Sequence, residues 1–332
     1  MSAFDRPILA FGMPRSGTTW LGKIFDSHPV TVYRHEPDSW RRLDSIPLFP
    51  DPVSADRYSA DVRSFVASLT TIRADRVCGK RPLFPKSYAS RLGVTLFSGR
   101  SLLHKALDRA GLQSGPPLPP QPSPGSPYRL VWKSIESLGR TGVILAAIPE
   151  AKFVQIVRHP CGYVASVLRG ESEKRFGHNQ AASDFDLYRM ACETPQARAH
   201  GLTESQMRAM EPAERLAWRW VIYNEKAAAE SEGLPNATVV LYEELCSKPV
   251  QITQSLFDFC ELSWDAQSER FLRESTTDAK SDYYSVFKNP LESAWRWRSQ
   301  LEAVTVQKVM AIVARSSFAR PYLESHDWNR GA

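Results

Sequence analysis

The sequence predicts an α/β protein with a mostly parallel central sheet flanked by helices and a helical cap insertion. Short apolar runs of strand length alternate with segments of helical apolar spacing along the 332-residue chain. Parallel strands that are buried on both faces are continuous apolar runs, and the helices that connect them cover both faces of the sheet. This alternation therefore indicates one sheet in a single domain over residues 1–332.

Each element follows from its own local pattern. Residues 8–12 form an apolar run that ends at a glycine turn, and residues 18–27 have helical apolar spacing up to a His-Pro stop. Further strands are predicted at residues 30–33, 130–132, 153–157 and 238–241. Further helices are predicted at residues 141–148, 160–168 and 213–232.

Two stretches depart from this alternation. Residues 112–128 are dense in Pro, Gly and Ser, and proline blocks both helices and central strands, so we expect a disordered Pro-rich loop there. Residues 170–211 are polar with weak helical spacing. We expect them to form a helical cap over the carboxyl edge of the sheet, where an acceptor substrate would bind.

The bulk composition excludes several classes of protein. Net charge is +6, from 42 Lys and Arg against 36 Asp and Glu, with no basic stripe, so it suits a small polyanionic ligand and does not indicate nucleic-acid binding. No apolar run reaches the roughly eighteen residues of a membrane span. The five cysteines lack CxxC spacing, which predicts neither a disulfide framework nor a metal site. The start shows no secretory signal pattern, and we expect a cytoplasmic protein.

A glycine-rich loop between the first strand and the first helix is the main candidate site. Its sequence, GMPRSGTT over residues 12–19, has the glycine spacing of a nucleotide-binding P-loop. The lysine that follows the second glycine of a P-loop is replaced by Thr18, and the cation lies inside the loop as Arg15. Such a loop is poorly equipped to hold a β/γ-phosphate pair with magnesium, but it can hold one dianionic group at a helix N-terminus.

The run Pro14 to Trp20 resembles the 5′-phosphosulfate-binding loop of the sulfotransferases that use 3′-phosphoadenosine-5′-phosphosulfate (PAPS). The resemblance implies a P-loop-like fold in which Arg15 bridges the leaving 5′-phosphate and the transferring sulfuryl group. It also implies that the donor is enclosed by Ser16, Gly17, Thr18, Thr19 and Trp20.

A second motif lies after the strand at residues 153–157, which ends in Arg158 where a triphosphatase would carry an acidic residue for magnesium. Arg158, Pro160 and Ser166 resemble the 3′-phosphate-binding motif of the same family, including the spacing of Arg and Ser. The resemblance implies that this site distinguishes PAPS from ATP. It implies no metal ion.

Two later segments resemble the family less closely. Residues 239–249, VVLYEELCSKP, resemble a strand followed by Tyr-Glu-Asp/Glu-Leu, which implies that Tyr242 lies near the nucleotide; a core tyrosine is the alternative. Residues 287–301 match the C-terminal cofactor loop without its Gly- and Lys-rich portion. The resemblance implies that Lys288 or Arg298 contacts the 3′-phosphate or the adenine.

The base that removes the acceptor proton has two candidates. In the cytosolic aryl and steroid branch it is a His two residues after a strand-end Lys, but here Ile135 follows Lys133 at that spacing. The segment around Glu36-Pro37 resembles the carbohydrate branch instead, so Glu36 is the first candidate. An ion pair of Glu36 with Arg34, Arg41 or Arg42 is the alternative interpretation.

His35 is the second candidate, although alternation along an extended segment would place it on the opposite face from Glu36. Lys133 would assist the leaving group or simply cap its strand. The bacterial and carbohydrate branch is therefore the closer resemblance.

The function implied is transfer of the sulfuryl group from PAPS to a hydroxyl of a small-molecule, glycan or lipid acceptor, with release of 3′,5′-adenosine bisphosphate (PAP). A P-loop small-molecule kinase and a nucleotide-binding adaptor are the alternatives. No motif in the sequence identifies the acceptor, the oligomeric state or a role for the Pro-rich loop.

Overall fold

A computed structural model of the chain describes residues 6–112, 119–122, 126–173, 180–277 and 289–324. The strands are β1 (Ile8–Phe11), β2 (Thr31–His35), β3 (Arg129–Ser134), β4 (Lys152–Val157) and β5 (Ala237–Leu241). They form a five-stranded sheet in the order β2-β3-β1-β4-β5, and every pairing is parallel. The predicted parallel sheet is confirmed.

The α-helices are α1 (Thr18–Ser27), α2 (Pro37–Trp40), α3 (Ala55–Ser68), α4 (Asp75–Cys78), α5 (Arg91–Arg109), α6 (Thr141–Ala147), α7 (Pro160–Ser172), α8 (Phe185–Cys192), α9 (Pro195–Ala199), α10 (Glu204–Ala209), α11 (Pro212–Ser231), α12 (Tyr242–Ser247), α13 (Pro249–Phe259), α14 (Ala266–Thr277), α15 (Pro290–Trp295), α16 (Ala303–Val313) and α17 (Arg320–Glu324). Short 3-10 helices occupy Pro52–Ser54, Leu69–Thr71, Leu138–Arg140, Ala181–Ser183, Arg296–Ser299 and Ser317–Ala319.

Alternate residues of the central strands point into two separate cores. Phe11 and Trp132 belong to the core beneath α3, α6, α7, α11 and α16, where their rings meet edge to face with centroids 5.0 Å apart. Ala10 and Val131 belong to the opposite core, beneath α1, α13 and α14. All four side chains are fully buried. The sheet is therefore covered on both faces, which explains why its strands are continuous apolar runs.

The strand order places a crevice at the carboxyl ends of β1 and β4. The chain leaves β1 toward β2 on one side of the sheet and leaves β4 toward β5 on the other side. In open α/β sheets, ligands bind where neighbouring connections diverge in this way. The predicted loop after β1 and the predicted motif after β4 both lie at this position.

Several elements lay outside the sequence prediction. Helices α3, α4 and α5 fill the region between β2 and β3, for which no element was predicted. Within the predicted cap over residues 170–211, the described part holds α8, α9 and α10, and residues 174–179 lie outside the described ranges. In the Pro-rich segment, Pro119 is buried, and residues 113–118 and 123–125 lie outside the described ranges. Within the described ranges, no helix has the combination of length and apolar character needed to cross a membrane.

Candidate active site

The loop between β1 and α1 is held in a curled conformation by two residues with positive φ. Arg15 has φ 71° and Gly17 has φ 88°, and α1 begins directly afterwards at Thr18. A side-chain-bearing residue in this region costs about 1–2 kcal/mol, and such strain is typical of functional sites. The start of the loop is fixed by Gly12 N, which donates to the Ser134 carbonyl at 3.3 Å.

Gly17 lies close to Tyr242, the tyrosine that is predicted to lie near the nucleotide. A Cβ atom on Gly17 would lie only 2.3 Å from Cδ2 of Tyr242. The Tyr242 ring in turn contacts the Trp20 ring edge to face, with centroids 6.4 Å apart. Tyr242 is therefore part of the cleft and not only a core residue.

The structure brings the two predicted anion motifs into direct contact. Arg15 Nε donates to Ser166 Oγ at 3.1 Å. Arg158 Nη1 donates to the Arg15 carbonyl at 3.0 Å, and Arg158 Nη2 donates to the Ser293 carbonyl at 2.6 Å. The Arg158 guanidinium also lies over the Tyr242 ring, 5.0 Å from its centroid. Two guanidinium groups, from the segments that follow β1 and β4, thus share one cleft.

The cleft has three walls. The loop and the start of α1 form the first, α7 forms the second, and α12 with the C-terminal segment forms the third. The lining residues are Arg15, Gly17, Thr18, Thr19, Trp20, Arg158, Gly162, Ala165, Ser166, Arg169, Tyr242, Pro290, Ser293, Arg296, Trp297 and Gln300. Of the loop residues predicted to bind the donor, Ser16 is buried and does not belong to this lining.

The predicted contacts of Arg298 and Lys288 with the donor stay predictions. Arg298 lies over the Trp295 ring, 4.4 Å from its centroid, whereas Arg296 is the arginine of the C-terminal segment that lines the cleft. A tryptophan face attracts a guanidinium, and this contact draws Arg298 to Trp295. Lys288 lies outside the described residues.

Sequence reasoning also missed Arg169 and Gln300. Arg169 follows Ser166 by one helical turn of α7, a spacing that places both side chains on one face. That periodicity could have identified Arg169. Gln300 carried no local signal; its Oε1 accepts from Arg169 Nη1 at 2.8 Å across the cleft.

The candidate bases form a second cluster, next to the first. Lys133 Nζ donates to Glu36 Oε1 in a close ion pair, with the Lys133 side chain 1% exposed and the Glu36 side chain 24% exposed. Of the alternative partners predicted for Glu36, Arg34 donates instead to the carbonyls of Leu69 and Thr70.

His35 does not lie on the opposite face from Glu36, which corrects the alternation argument. Its Nε2 is 3.8 Å from Glu36 Oε1. The reason is that Glu36 leaves the strand with φ 47°, a left-handed conformation that breaks the extended geometry. Glu36 N is fixed by a hydrogen bond to the Lys133 carbonyl at 2.8 Å.

Burial controls the protonation of this second cluster. The pKa of His35 lies well below its usual value because the ring is buried, with Lys133 and Lys80 adding to the shift. Burial also lowers the pKa of Lys133, and the neighbouring Glu36 carboxylate opposes that shift. His35 is therefore neutral near pH 7, and a neutral imidazole can serve as either a hydrogen-bond donor or an acceptor.

Both clusters are attached to the carboxyl end of β3. The Ser134 carbonyl accepts from the loop at Gly12, and the Lys133 carbonyl accepts from Glu36. Asp38 further ties α2 to this end, because its Oδ2 accepts from Ser137 Oγ at 2.6 Å. The loop and the candidate base thus have a common rigid support.

The fold is a P-loop-like α/β fold, and its cleft brings several guanidinium groups together beside the N-terminus of α1. The sequence profile of the sulfotransferase family matches residues 7–266, which include the loop, the Arg158 motif and Tyr242. The chain therefore belongs to the sulfotransferase family, and it is a sulfotransferase enzyme.

Several solved sulfotransferase structures are similar to this chain at low sequence identity. The sulfotransferase domain of the Synechococcus PCC 7002 olefin synthase is 18% identical, with 92% of this chain and 94% of that chain covered and a TM-score of 0.43. A sulfotransferase from Alicyclobacillus acidocaldarius is 14% identical, with 93% and 95% covered and a TM-score of 0.40. Mouse sulfotransferase SULT7A1, solved in complex with PAP, is 11% identical, with 98% and 88% covered and a TM-score of 0.42. No curated protein matches the sequence at a significant level.

Proposed function

We propose that this enzyme transfers the sulfuryl group of PAPS to a hydroxyl of a small-molecule, glycan or lipid acceptor and releases PAP. The observation that carries the proposal is the joined pair of anion motifs, in which Arg15 contacts Ser166 and Arg158 contacts the Arg15 carbonyl. A cleft built on arginines at the ends of β1 and β4 suits a ligand with more than one anionic group.

The chemistry of the cleft fits the donor. Arg158 Nε and Ser293 Oγ are buried, and neither has a hydrogen-bond partner among the described residues. Unsatisfied buried donors are costly, and an anionic ligand would satisfy them. We propose that Arg158, Ser166, Ser293 and Arg296 hold the 3′-phosphate.

We propose that the 5′ end of the donor is held by the loop. Its backbone, Thr18 and Thr19 stand at the N-terminus of α1, where amide groups and the helix dipole favour an anion. Arg15 would hold the transferring group, and Trp20 and Tyr242 would bound the nucleotide. The donor supplies an activated sulfuryl group, and no metal ion is required.

The acceptor side is assigned to the cluster at the ends of β2 and β3. Glu36 or His35 would take the proton of the acceptor hydroxyl as its oxygen attacks, a role that requires a group near the reacting oxygen. Lys133 would hold Glu36 and stabilise negative charge on the leaving side. The described cap helices α8 to α10 would contribute to acceptor selection. We further propose a cytoplasmic setting, because Cys161, Cys246 and Cys260 are buried free thiols.

A ligand-binding comparison tests this proposal directly. Purified protein should be stabilised against heat by PAP, by about 2.7 kcal/mol at a hundredfold excess over the dissociation constant, and far less by ATP with magnesium. Greater stabilisation by ATP with magnesium would favour a kinase and reject the proposal. Turnover of radiolabelled PAPS against a panel of hydroxyl acceptors, with and without EDTA, then tests the chemical step. Transfer to amines alone would contradict a hydroxyl acceptor.

A further inference from the structure

A buried tyrosine contacts the ring of His35 from the side away from Glu36. Tyr33 Oη lies 2.8 Å from His35 Nδ1, within β2. Tyr33 is 6% exposed, and this is the hydrogen bond that its hydroxyl makes among the described residues. His35 is thus held between a phenol at Nδ1 and a carboxylate near Nε2.

The protonation states of the Tyr33 hydroxyl and the His35 ring follow from their burial. The pKa of Tyr33 lies well above its usual value because the phenol is buried, with Asp26 and Glu36 adding to the shift, so the hydroxyl keeps its hydrogen. The His35 ring is neutral because it is buried and faces cations from several elements. These cations are Lys133 of β3, Lys23 of α1, Arg76 of α4 and Lys80 after α4.

A neutral imidazole carries one hydrogen on nitrogen, which is bound either to Nδ1 or to Nε2. With the hydrogen on Nε2, the Tyr33 hydroxyl donates to Nδ1, and Nε2–H faces the Glu36 carboxylate. With the hydrogen on Nδ1, the phenol hydrogen has no acceptor among the described residues, and the Nε2 lone pair faces the carboxylate. The second option loses a buried hydrogen bond and places two acceptors toward each other.

We propose that Tyr33 is a positioning residue that fixes His35 as the Nε2–H tautomer, so that His35 acts as a hydrogen-bond donor and Glu36 alone is the base. The inference rests on the proposed function and decides between its two candidate bases. In the chemical step Glu36 accepts the proton of the acceptor hydroxyl. The acceptor oxygen forms its bond to sulfur as the bond between sulfur and the 5′-phosphate oxygen breaks.

The role of His35 follows from this arrangement. Its Nε2–H lies on the side of the Glu36 carboxylate, with Nε2 3.8 Å from Oε1, and the polar N–H attracts the carboxylate electrostatically. Lys133 contacts the same carboxylate oxygen. Glu36 therefore has two neighbours, the Lys133 ammonium group and the His35 ring. The tautomer of His35 determines whether the ring presents an N–H or a lone pair to the carboxylate.

Histidine nitrogen spectroscopy tests the tautomer without any substrate. Protein labelled with 15N-histidine should show His35 with a protonated Nε2 and an unprotonated Nδ1 near pH 7.5, and the His35→Asn variant assigns these signals. Tyr33→Phe should shift the His35 signals toward a mixture of tautomers. An Nδ1–H tautomer of His35 in the wild type would overturn the inference.

Kinetics provide the second arm, with a matched control. Tyr33→Phe should lower kcat roughly tenfold, a small part of the effect of a general base, and leave the KM for PAPS unchanged. The control is Tyr88→Phe, which removes a hydroxyl that donates to the Thr31 carbonyl of the same strand without touching His35; kcat and the His35 signals should not change.

A Tyr33→Phe variant with wild-type spectrum and kcat would also overturn the inference. Absence of sulfuryl transfer in the wild type would reject the proposed function, whereas the tautomer measurement would still stand. The two failures are therefore distinguishable.

Discussion

Replacing Gly17 by alanine tests whether the loop and Tyr242 form one rigid unit. The added Cβ would lie 2.3 Å from Cδ2 and 2.5 Å from Cε2 of Tyr242, far inside van der Waals contact. The Tyr242 ring cannot move alone, since it packs against Trp20 and lies beneath the Arg158 guanidinium. The backbone conformation, with φ 88°, is itself unfavourable for alanine.

The expected loss of stability has two parts. The left-handed backbone costs alanine about 1 kcal/mol, and forcing an atom into a packed site costs about 1–3 kcal/mol. We therefore expect Gly17→Ala to lower the free energy of unfolding by about 3 kcal/mol. Displacing Tyr242 and Arg158 should also weaken PAP binding tenfold or more, which corresponds to about 1.4 kcal/mol per factor of ten.

Gly233 provides the matched control for the backbone part. It has φ 72°, and a Cβ there would meet no atom within 4 Å. Gly233→Ala should lower the free energy of unfolding by about 1 kcal/mol and leave PAP binding unchanged. The measurements are denaturant unfolding and calorimetric titration with PAP. Equal stability of the two variants, together with wild-type PAP affinity in Gly17→Ala, would refute the reasoning. Adding Tyr242→Ala to Gly17→Ala should recover part of the loss, as a double-mutant cycle.

Three further predictions concern the site residues. Arg15→Ala and Arg158→Ala should each abolish measurable turnover. Calorimetry should show that Arg158→Ala binds PAP roughly a hundredfold more weakly than the wild type. Tight binding of PAP by Arg158→Ala would exclude Arg158 from the 3′-phosphate site. Glu36→Gln should lower kcat roughly a hundredfold or more with PAP affinity unchanged, and near-normal turnover would remove Glu36 as the base. Burial, with Arg158 adding to the effect, lowers the pKa of His159 from 6.5 to about 3. His159 therefore stays neutral in the folded state, whereas the unfolded chain binds a proton there below pH 6.5. The free energy of unfolding should fall as pH falls from 6.5 toward 3, by about 1.4 kcal/mol per pH unit. The variant His159→Asn keeps an acceptor for Cys161 N. In urea titrations from pH 7 to pH 5, the difference in free energy of unfolding between the wild type and this variant should shrink. A constant difference would contradict the lowered pKa of His159.

Much of the fold could be predicted because its signals are local. The strand at residues 153–157 was predicted from a continuous apolar run, and the structure extends it by one residue to Lys152–Val157. The helix at residues 18–27 has the same bounds in the structure, because its apolar spacing and the His-Pro stop are properties of adjacent residues. Helix α5 was not predicted. It exposes Leu92 and Leu96, and a helix whose apolar residues are not confined to one buried face gives little periodic signal.

The sequence by itself determined the family and the parallel sheet, and it predicted the two anion motifs, since a glycine-rich loop after a strand and an arginine at a strand end are short-range patterns. Only the tertiary structure decided which side chains meet. Lys133 pairs with Glu36 across 97 positions of sequence, and Arg15 reaches Ser166 across 151. The same holds for Arg296, which lines the cleft in place of Arg298. Such contacts depend on how strands order themselves and where the backbone turns, as at the left-handed Glu36, and no local periodicity encodes them.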